Sequence, residues 1–270
     1  MPLDFTFLDV DGLRVRYVDS GGSGLPLLLV HGLGGAIESW TNNIGELAKK
    51  DLRVIALDLP GFGYSDKPKM NYTIKFYSDF VAKFVQALGL APLAVVGSSL
   101  GGHVACELAL AHPGVVSRLI LVSPSGVLPK SFKGSPALWR YMKVLEAKSV
   151  EEAKKALYAV DNKPVSDAYA RAAYEKIAMP GAKEAFLSAL AGSARAPRLT
   201  AGRLSKIAAP ILVLWGKDDT MIPAKYVEPL VKMKKSRVVL LEGCGHRPHV
   251  DRPRLFNRMI ADFVKEEKEG

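Results

Sequence analysis

The sequence predicts an α/β fold: a mostly parallel, eight-stranded sheet flanked by helices and interrupted by a helical cap. Three observations predict it. Eight short segments of strand character recur along the 270 residues, most of them continuous apolar runs. Helical patterns lie between many of them. From Gly126 to about Arg198 the alternation stops and only helical pattern remains. A strand buried on both faces reads as an unbroken apolar run rather than as alternation. Strands separated by helices build a parallel sheet covered on both sides.

In chain order, "FTFLDV" and "LRVRYVD" read as two strands joined by a turn at Asp11-Gly12. "GGSG" is a loop, and "LPLLLV" (Leu25 to Val30) is the first doubly buried strand. "LRVIALDL" is the next. Tyr77, Phe80, Val81, Phe84, Val85 and Leu88 then share one helical face, with Thr73 placed to cap it and Gly89 to end it. "LAVVGS" is a strand, and Leu100 to Ala111 a helix stopped by Pro113. "VSRLILVSP" closes the first half. Four helical runs follow: "PALWRYMKVLEA", "VEEAKKALYAV", "SDAYARAAYEKIAM" and "AKEAFLSALAG". "APILVLWG" and "SRVVLLEG" resume the strands, with helices expected over about Ala224 to Lys234 and Val250 to Lys265. The organisation expected is a core of residues 1–125 and 199–270 with a helical cap at 126–198.

Composition narrows the function. The formal charge is +10, but the basic residues are scattered and no nucleic-acid motif accompanies them, so a soluble basic surface is expected. Half the residues are hydrophobic (49%) and a quarter charged (24%), enough for a sizeable core. Two cysteines, Cys106 and Cys244, make neither a disulfide framework nor a metal signature. No signal-peptide pattern opens the chain, and the longest apolar run is too short to cross a membrane. A cytoplasmic, cofactor-free protein without metal, nucleic-acid partner or membrane is expected.

The stretch "VVGSSLGGHVA", Val95 to Ala105, carries the chemistry. Gly97-Ser98-Ser99-Leu100-Gly101 matches G-x-S-x-G between a strand and a helix. A strand that turns at once into a helix strains the residue at the corner, and side chains two positions either side would collide. That centres Ser99 at the tip, beside a helix N-terminus that favours negative charge, and leaves Ser98 as a neighbour. A serine needs a base, and the base a third group. Asp218 and Asp219 follow the strand ending in "VLWG", and His246 follows the next strand. Strand ends of a parallel sheet gather at one edge, and the order Ser, Asp, His is one that hydrolytic triads use. His249 is a rival to His246, expected instead to open the last helix. His103 and His112 are expected to pack. The glycine-rich "HGLGG" (His31 to Gly35) fails as a dinucleotide fingerprint; paired with the N–H of Leu100, the N–H of Leu33 would form an oxyanion hole.

Assembled, these residues make the chain resemble the α/β-hydrolase superfamily over nearly its whole length. Four motifs match in order: "HGLGG", "DLPGFGYSDKP", "GSSLGG" and "WGKDDTMIP…GCGHRPHVDRP". The resemblance picks Asp219, third after the glycine of "WG", over Asp218, and His246 after "G-x-G". It maps oxyanion donors onto Leu33 and Leu100, and puts Asp251 and Pro253 where the family carries an acidic residue and a proline. It implies a serine hydrolase in which Ser99, Asp219 and His246 are catalytic, acting through an acyl-enzyme on a small-molecule carboxylic ester. Serine rather than aspartate at the corner argues against dehalogenases and epoxide hydrolases. C–C bond hydrolysis of ring-cleavage products is the alternative; that group usually carries a "G-P-G"-like oxyanion loop, where this chain has "GLGGA". It would require a cationic residue near a substrate carboxylate, with Arg195, Arg198 and Arg203 as candidates. A ligand-binding sensor with residual hydrolysis is a third reading. Trp139, Met142, Tyr158 and Phe186 are expected to line the cap's pocket.

Overall fold

A computed structural model describes residues 4–129, 134–161, 165–233 and 235–266. Its strands are β1 (Phe5–Val10), β2 (Leu13–Asp19), β3 (Leu25–Val30), β4 (Leu52–Leu57), β5 (Leu93–Ser98), β6 (Val116–Val122), β7 (Ile211–Gly216) and β8 (Ser236–Leu241). They form one sheet in the order β1-β2-β4-β3-β5-β6-β7-β8. The hairpin β1–β2 joins antiparallel to β4, and the other six strands run parallel. The mostly parallel eight-stranded architecture read from the sequence is the one observed.

Strand order places the chemistry. The chain leaves β3 for β4 on one side and later returns to β5 on the other, with Val30 opposite Gly97. Loops leaving β3 and β5 therefore diverge from a crevice at their carboxyl ends, where ligands bind in open α/β sheets. The ends of β7 and β8 open on the same edge.

Helices cover both faces. On one side lie α1 (Thr41–Ala48) and the later α11 (Pro253–Lys265), whose Phe256, Ile260, Phe263 and Val264 recur at helical spacing and are buried with Trp40, Ile44 and Leu47. On the other lie α2 (Ile74–Ala87) and α3 (Leu100–Ala111). Thr73 accepts the Phe76 N–H at 3.1 Å, and Gly89 ends the segment at φ +65°, both as the pattern predicts. Cys106 is buried in α3, where its thiol is pushed up by desolvation.

Between β6 and β7 the described residues carry helices and no strand: α4 (Pro136–Met142), α5 (Val150–Asp161), α6 (Asp167–Ala178), α7 (Ala182–Arg195) and α8 (Ala201–Leu204). Helix α7 is seated on the loop before α2. Ser188 accepts the Tyr72 N–H at 3.0 Å and donates to the Met70 carbonyl at 3.1 Å. Gly192 permits the approach, since a Cβ there would lie 2.3 Å from the Tyr72 oxygen.

Two helix expectations change. The segment from Ala224 is a short 3₁₀ turn (Ala224–Val227) followed by α9 (Glu228–Val231). Pro229 explains the break, because it has no N–H to carry the ladder through; Lys234 lies outside the described residues. The last helix divides at Arg252 into α10 (Pro248–Asp251) and α11. Pro253 again resets the ladder, and His249 belongs to α10 instead of opening the long helix.

Candidate functional site

The corner after β5 is built by close backbone approach. Ser99 sits at φ +53°, ψ −114°, a strained position for a residue with a side chain. It is fixed from several sides: its N–H donates to the Val122 carbonyl at 2.8 Å, and its own carbonyl accepts from Gly102, His103 and Ser125. A Cβ on Gly97 would lie 2.3 Å from the Gly101 oxygen, and one on Gly101 2.4 Å from the Val30 oxygen. Both glycines are therefore steric requirements of the corner. Leu100 is the first residue of α3, so its N–H has no intrahelical acceptor. Ser98 stays within β5, buried, in register with Val122.

The acid and the imidazole meet across β7 and β8. His246 Nδ1 and Asp219 Oδ2 are 2.8 Å apart. The other Asp219 oxygen accepts the N–H groups of Met221 (2.9 Å) and Ile222 (2.8 Å), fixing the carboxylate, which is fully buried. Trp215 pins the same turn by donating its indole N–H to the Ile222 carbonyl at 3.0 Å. Asp218 is exposed, with its N–H on the Cys244 carbonyl. Gly216 lets the two loops touch, since a Cβ would lie 2.1 Å from the Gly245 oxygen. Asp251 accepts the Gly245 N–H at 2.8 Å and so holds the turn preceding His246. Among the described residues no hydrogen bond joins the Ser99 hydroxyl to His246. Such bonds commonly tighten only in the substrate complex.

The glycine loop lies against the corner. A Cβ on Gly32 would be 3.1 Å from the Ser99 Cβ. Gly35 N–H closes a turn on the Gly32 carbonyl at 3.0 Å, with Gly34 at φ +68° and Leu33 between. Sequence reading passed over His31, which holds this loop. Its Nε2 accepts the Leu59 N–H at 3.0 Å, so Nδ1 carries the proton and donates to the Gly32 carbonyl at 2.7 Å. The ring is neutral and wholly buried, and burial pushes its pKa down.

A charge cluster next to this loop was also missed, although Asp58 lies in a motif that the sequence shows. Buried Asp58 accepts from the Arg16 guanidinium (2.6 Å), the Ile37 N–H and the Tyr64 N–H. Arg16 also bonds Glu38, and Glu38 meets Lys176 of α6 at 3.2 Å. The contact separations along the chain are long, so no local pattern announces them.

The cap aromatics divide. Phe186 is buried against the glycine loop, 2.9 Å from where a Gly34 Cβ would stand, and Tyr141 donates its hydroxyl to the Gly34 carbonyl at 3.3 Å. Met142 packs on the core. Trp139 and Tyr158 are about half exposed (56% and 49%) and do not line an interior pocket. Helical periodicity marked them as apolar without saying which side would be covered. Of the candidate arginines, Arg203 is bidentate on Glu107 at 2.7 and 3.0 Å, while Arg195 and Arg198 are exposed. No group of residues suited to a metal occurs among the described residues, and none of their helices is long and apolar enough to cross a membrane.

Three imidazoles are buried here. Desolvation lowers the pKa of His31, that of His103 to about 4, and that of His249 well below its usual value. His249 stacks on Trp40 at 4.3 Å; His103 faces the Pro197 carbonyl at 3.2 Å. The unfolded chain binds protons at these histidines near pH 6.5 and the folded chain does not. Stability is thus complete above that value and is lost as pH falls below it, for His103 over the window down to about 4. Urea midpoints at pH 7 and pH 5 test this. A midpoint unchanged between them would contradict it.

The arrangement can run acyl chemistry: a strained hydroxyl at a helix N-terminus, an imidazole oriented by a buried carboxylate, and backbone donors from two adjoining loops. Comparisons agree with the class. The family model of the alpha/beta hydrolase fold matches residues 26–253. The chain is 32% identical to the 2-hydroxymuconate semialdehyde hydrolase of Pseudomonas sp. (strain CF600), over 94% of this chain and 92% of that protein. Among solved structures it is similar to a membrane phospholipase A (TM-score 0.83, 31% identity, 97% of this chain and 86% of that one). A meta-cleavage product hydrolase is equally similar in fold (TM-score 0.83, 26% identity, 97% and 98%). With the sheet order, the corner serine and a match spanning most of its length, the chain belongs to the α/β-hydrolase fold family.

Proposed function

We propose that the chain is a serine hydrolase that cleaves a carbon–carbon bond beside an aldehyde or ketone carbonyl in an unsaturated oxo acid of the kind ring cleavage produces. The observation that carries this is the likeness to 2-hydroxymuconate semialdehyde hydrolase along almost the full length of both chains. It favours C–C cleavage over the ester hydrolysis that the oxyanion loop suggests.

Ser99 Oγ attacks the carbonyl carbon while His246 Nε2 takes its proton. Asp219, bonded at Nδ1, holds the tautomer and stabilises the imidazolium. The N–H groups of Leu33 and Leu100 receive the oxyanion. The C–C bond then breaks, its electron pair remaining on the departing carbon, which takes the proton from His246. Water gives a proton to His246 and its oxygen to the acyl group, releasing a carboxylic acid and restoring Ser99. One water is consumed. Residues 126–198 serve as the cap that encloses the substrate.

Ester hydrolysis by the same groups is the second reading, favoured by "GLGGA" and by the phospholipase likeness; there the electron pair and proton go to an alcohol oxygen. Assaying 2-hydroxymuconate semialdehyde beside p-nitrophenyl acetate and butyrate separates them. The expected result is kcat/KM above about 10⁴ M⁻¹s⁻¹ on the semialdehyde, with the esters well below it. The reverse order would install the ester reading.

A further inference from the structure

Three cap helices land on the segment that leaves β3. Tyr141 of α4 donates its hydroxyl to the Gly34 carbonyl at 3.3 Å, Phe186 of α7 packs on Gly34, and Lys176 of α6 meets Glu38. The Tyr141 and Phe186 rings also lie together, with centroids 5.8 Å apart. A Cβ on Gly34, which sits at φ +68°, would stand 2.5 Å from the Tyr141 hydroxyl and 2.9 Å from Phe186. Glycine at this position is what lets the cap reach the backbone of the loop.

The tyrosine contact is the outer end of a series of hydrogen bonds. The Gly34 carbonyl and the Gly35 N–H belong to one peptide unit, and that N–H donates to the Gly32 carbonyl at 3.0 Å. The Gly32 carbonyl and the Leu33 N–H belong to another unit, and the Leu33 N–H is the donor proposed for the oxyanion. Each peptide unit is planar, so a bond that fixes its carbonyl also fixes the direction of its N–H. Hydrogen bonds in series polarise one another, which makes the last N–H a stronger donor. His31 holds the Gly32 carbonyl from the core side, through Nδ1 at 2.7 Å. Tyr141 holds the outer unit from the cap side.

We propose that Tyr141 is a positioning residue that orients and polarises the Leu33 N–H through the Gly34–Gly35 peptide. The oxyanion hole is then complete only while the cap rests on the glycine loop, and the cap acts on the chemistry as well as enclosing the substrate. The inference rests on the oxyanion role given to Leu33. It holds for either bond cleaved, because both reactions pass through a tetrahedral oxyanion on Ser99.

Butyl trifluoromethyl ketone tests this without turnover. Ser99 Oγ bonds the carbonyl carbon, the π pair becomes an oxyanion and His246 keeps the hydroxyl proton. The corresponding secondary alcohol forms no such adduct. Both are titrated into the full chain and followed by fluorine NMR. Tyr141→Phe keeps the ring on Phe186 and removes only the oxygen. It is expected to weaken the ketone by about five- to tenfold, as for loss of one neutral hydrogen bond, and to raise the pH at which the bound hemiketal ionises. The affinity for the alcohol should not change. Tyr158→Phe, which removes a hydroxyl from an exposed cap tyrosine, should match the parent throughout. The proposal is overturned if Tyr141→Phe binds the ketone as the parent does. It is overturned equally if ketone and alcohol weaken in parallel, which would make Tyr141 a wall of the pocket or a support of the fold. If Ser99→Ala binds the ketone as tightly as the parent, the nucleophile reading fails and this proposal with it, a result that is read without any cap variant.

Discussion

Replacing Ser99 with alanine is expected to lower kcat by about 10⁶-fold, the scale on which a triad nucleophile is lost. The fold should survive. Alanine keeps the Cβ that Ser99 already carries at φ +53°, so it adds no clash. The backbone bonds that fix the corner, to Val122, Gly102, His103 and Ser125, do not involve the hydroxyl. A fluorophosphonate probe should label the parent and not the variant. Ser98→Ala, in the strand before the corner, should stay within tenfold of the parent. If Ser99→Ala melts like the parent and retains kcat within tenfold, the hydroxyl is not the nucleophile.

Asp219→Asn is expected to cost about 10⁴-fold in kcat. The geometry says why the loss is chemical. An asparagine can present its carbonyl oxygen to the N–H groups of Met221 and Ile222, as Oδ1 does now. Its NH₂ would then face His246 Nδ1, forcing the proton onto Nε2, the nitrogen that accepts from Ser99 in the proposed mechanism. Asp218→Asn, exposed and away from the imidazole, should change kcat by less than about twofold, as surface changes usually do. Asp219→Ala would in addition strip two buried N–H groups of their acceptor, at about 1–3 kcal/mol each. Equal kcat values for the two asparagine variants would remove Asp219 from the relay.

Much of this was legible because it is local or periodic. Strands β3 to β7 are largely buried on both faces and therefore read as apolar runs, whereas the edge strand β8 reads as one while staying partly exposed. The α2 face, its Thr73 cap and its Gly89 end follow from spacing and from the φ that glycine allows. The corner was legible because its glycines stand in a short motif: Gly97 is forced by a contact four residues on, at Gly101, although Gly101 itself is forced by the backbone of Val30. Asp219 was legible only through resemblance; what distinguishes it from Asp218 is burial and three hydrogen bonds, which neighbouring residues in a string do not display.

By itself, then, the sequence determined the layered α/β sheet and the strained serine corner, since each depends on periodicity, backbone sterics or a motif of adjacent residues; it narrowed the candidate acid to Asp218 or Asp219, and only resemblance chose between them. Only the tertiary structure decided how His31 clamps the glycine loop, which cap aromatics face inward, and that Tyr141 and Lys176 reach the segment after β3. The His31 clamp joins residues 28 apart, and the other outcomes depend on helices from the insertion settling on loops more than a hundred residues away in the chain. There, burial and electrostatics are set by the neighbours that folding brings together, not by neighbours in sequence.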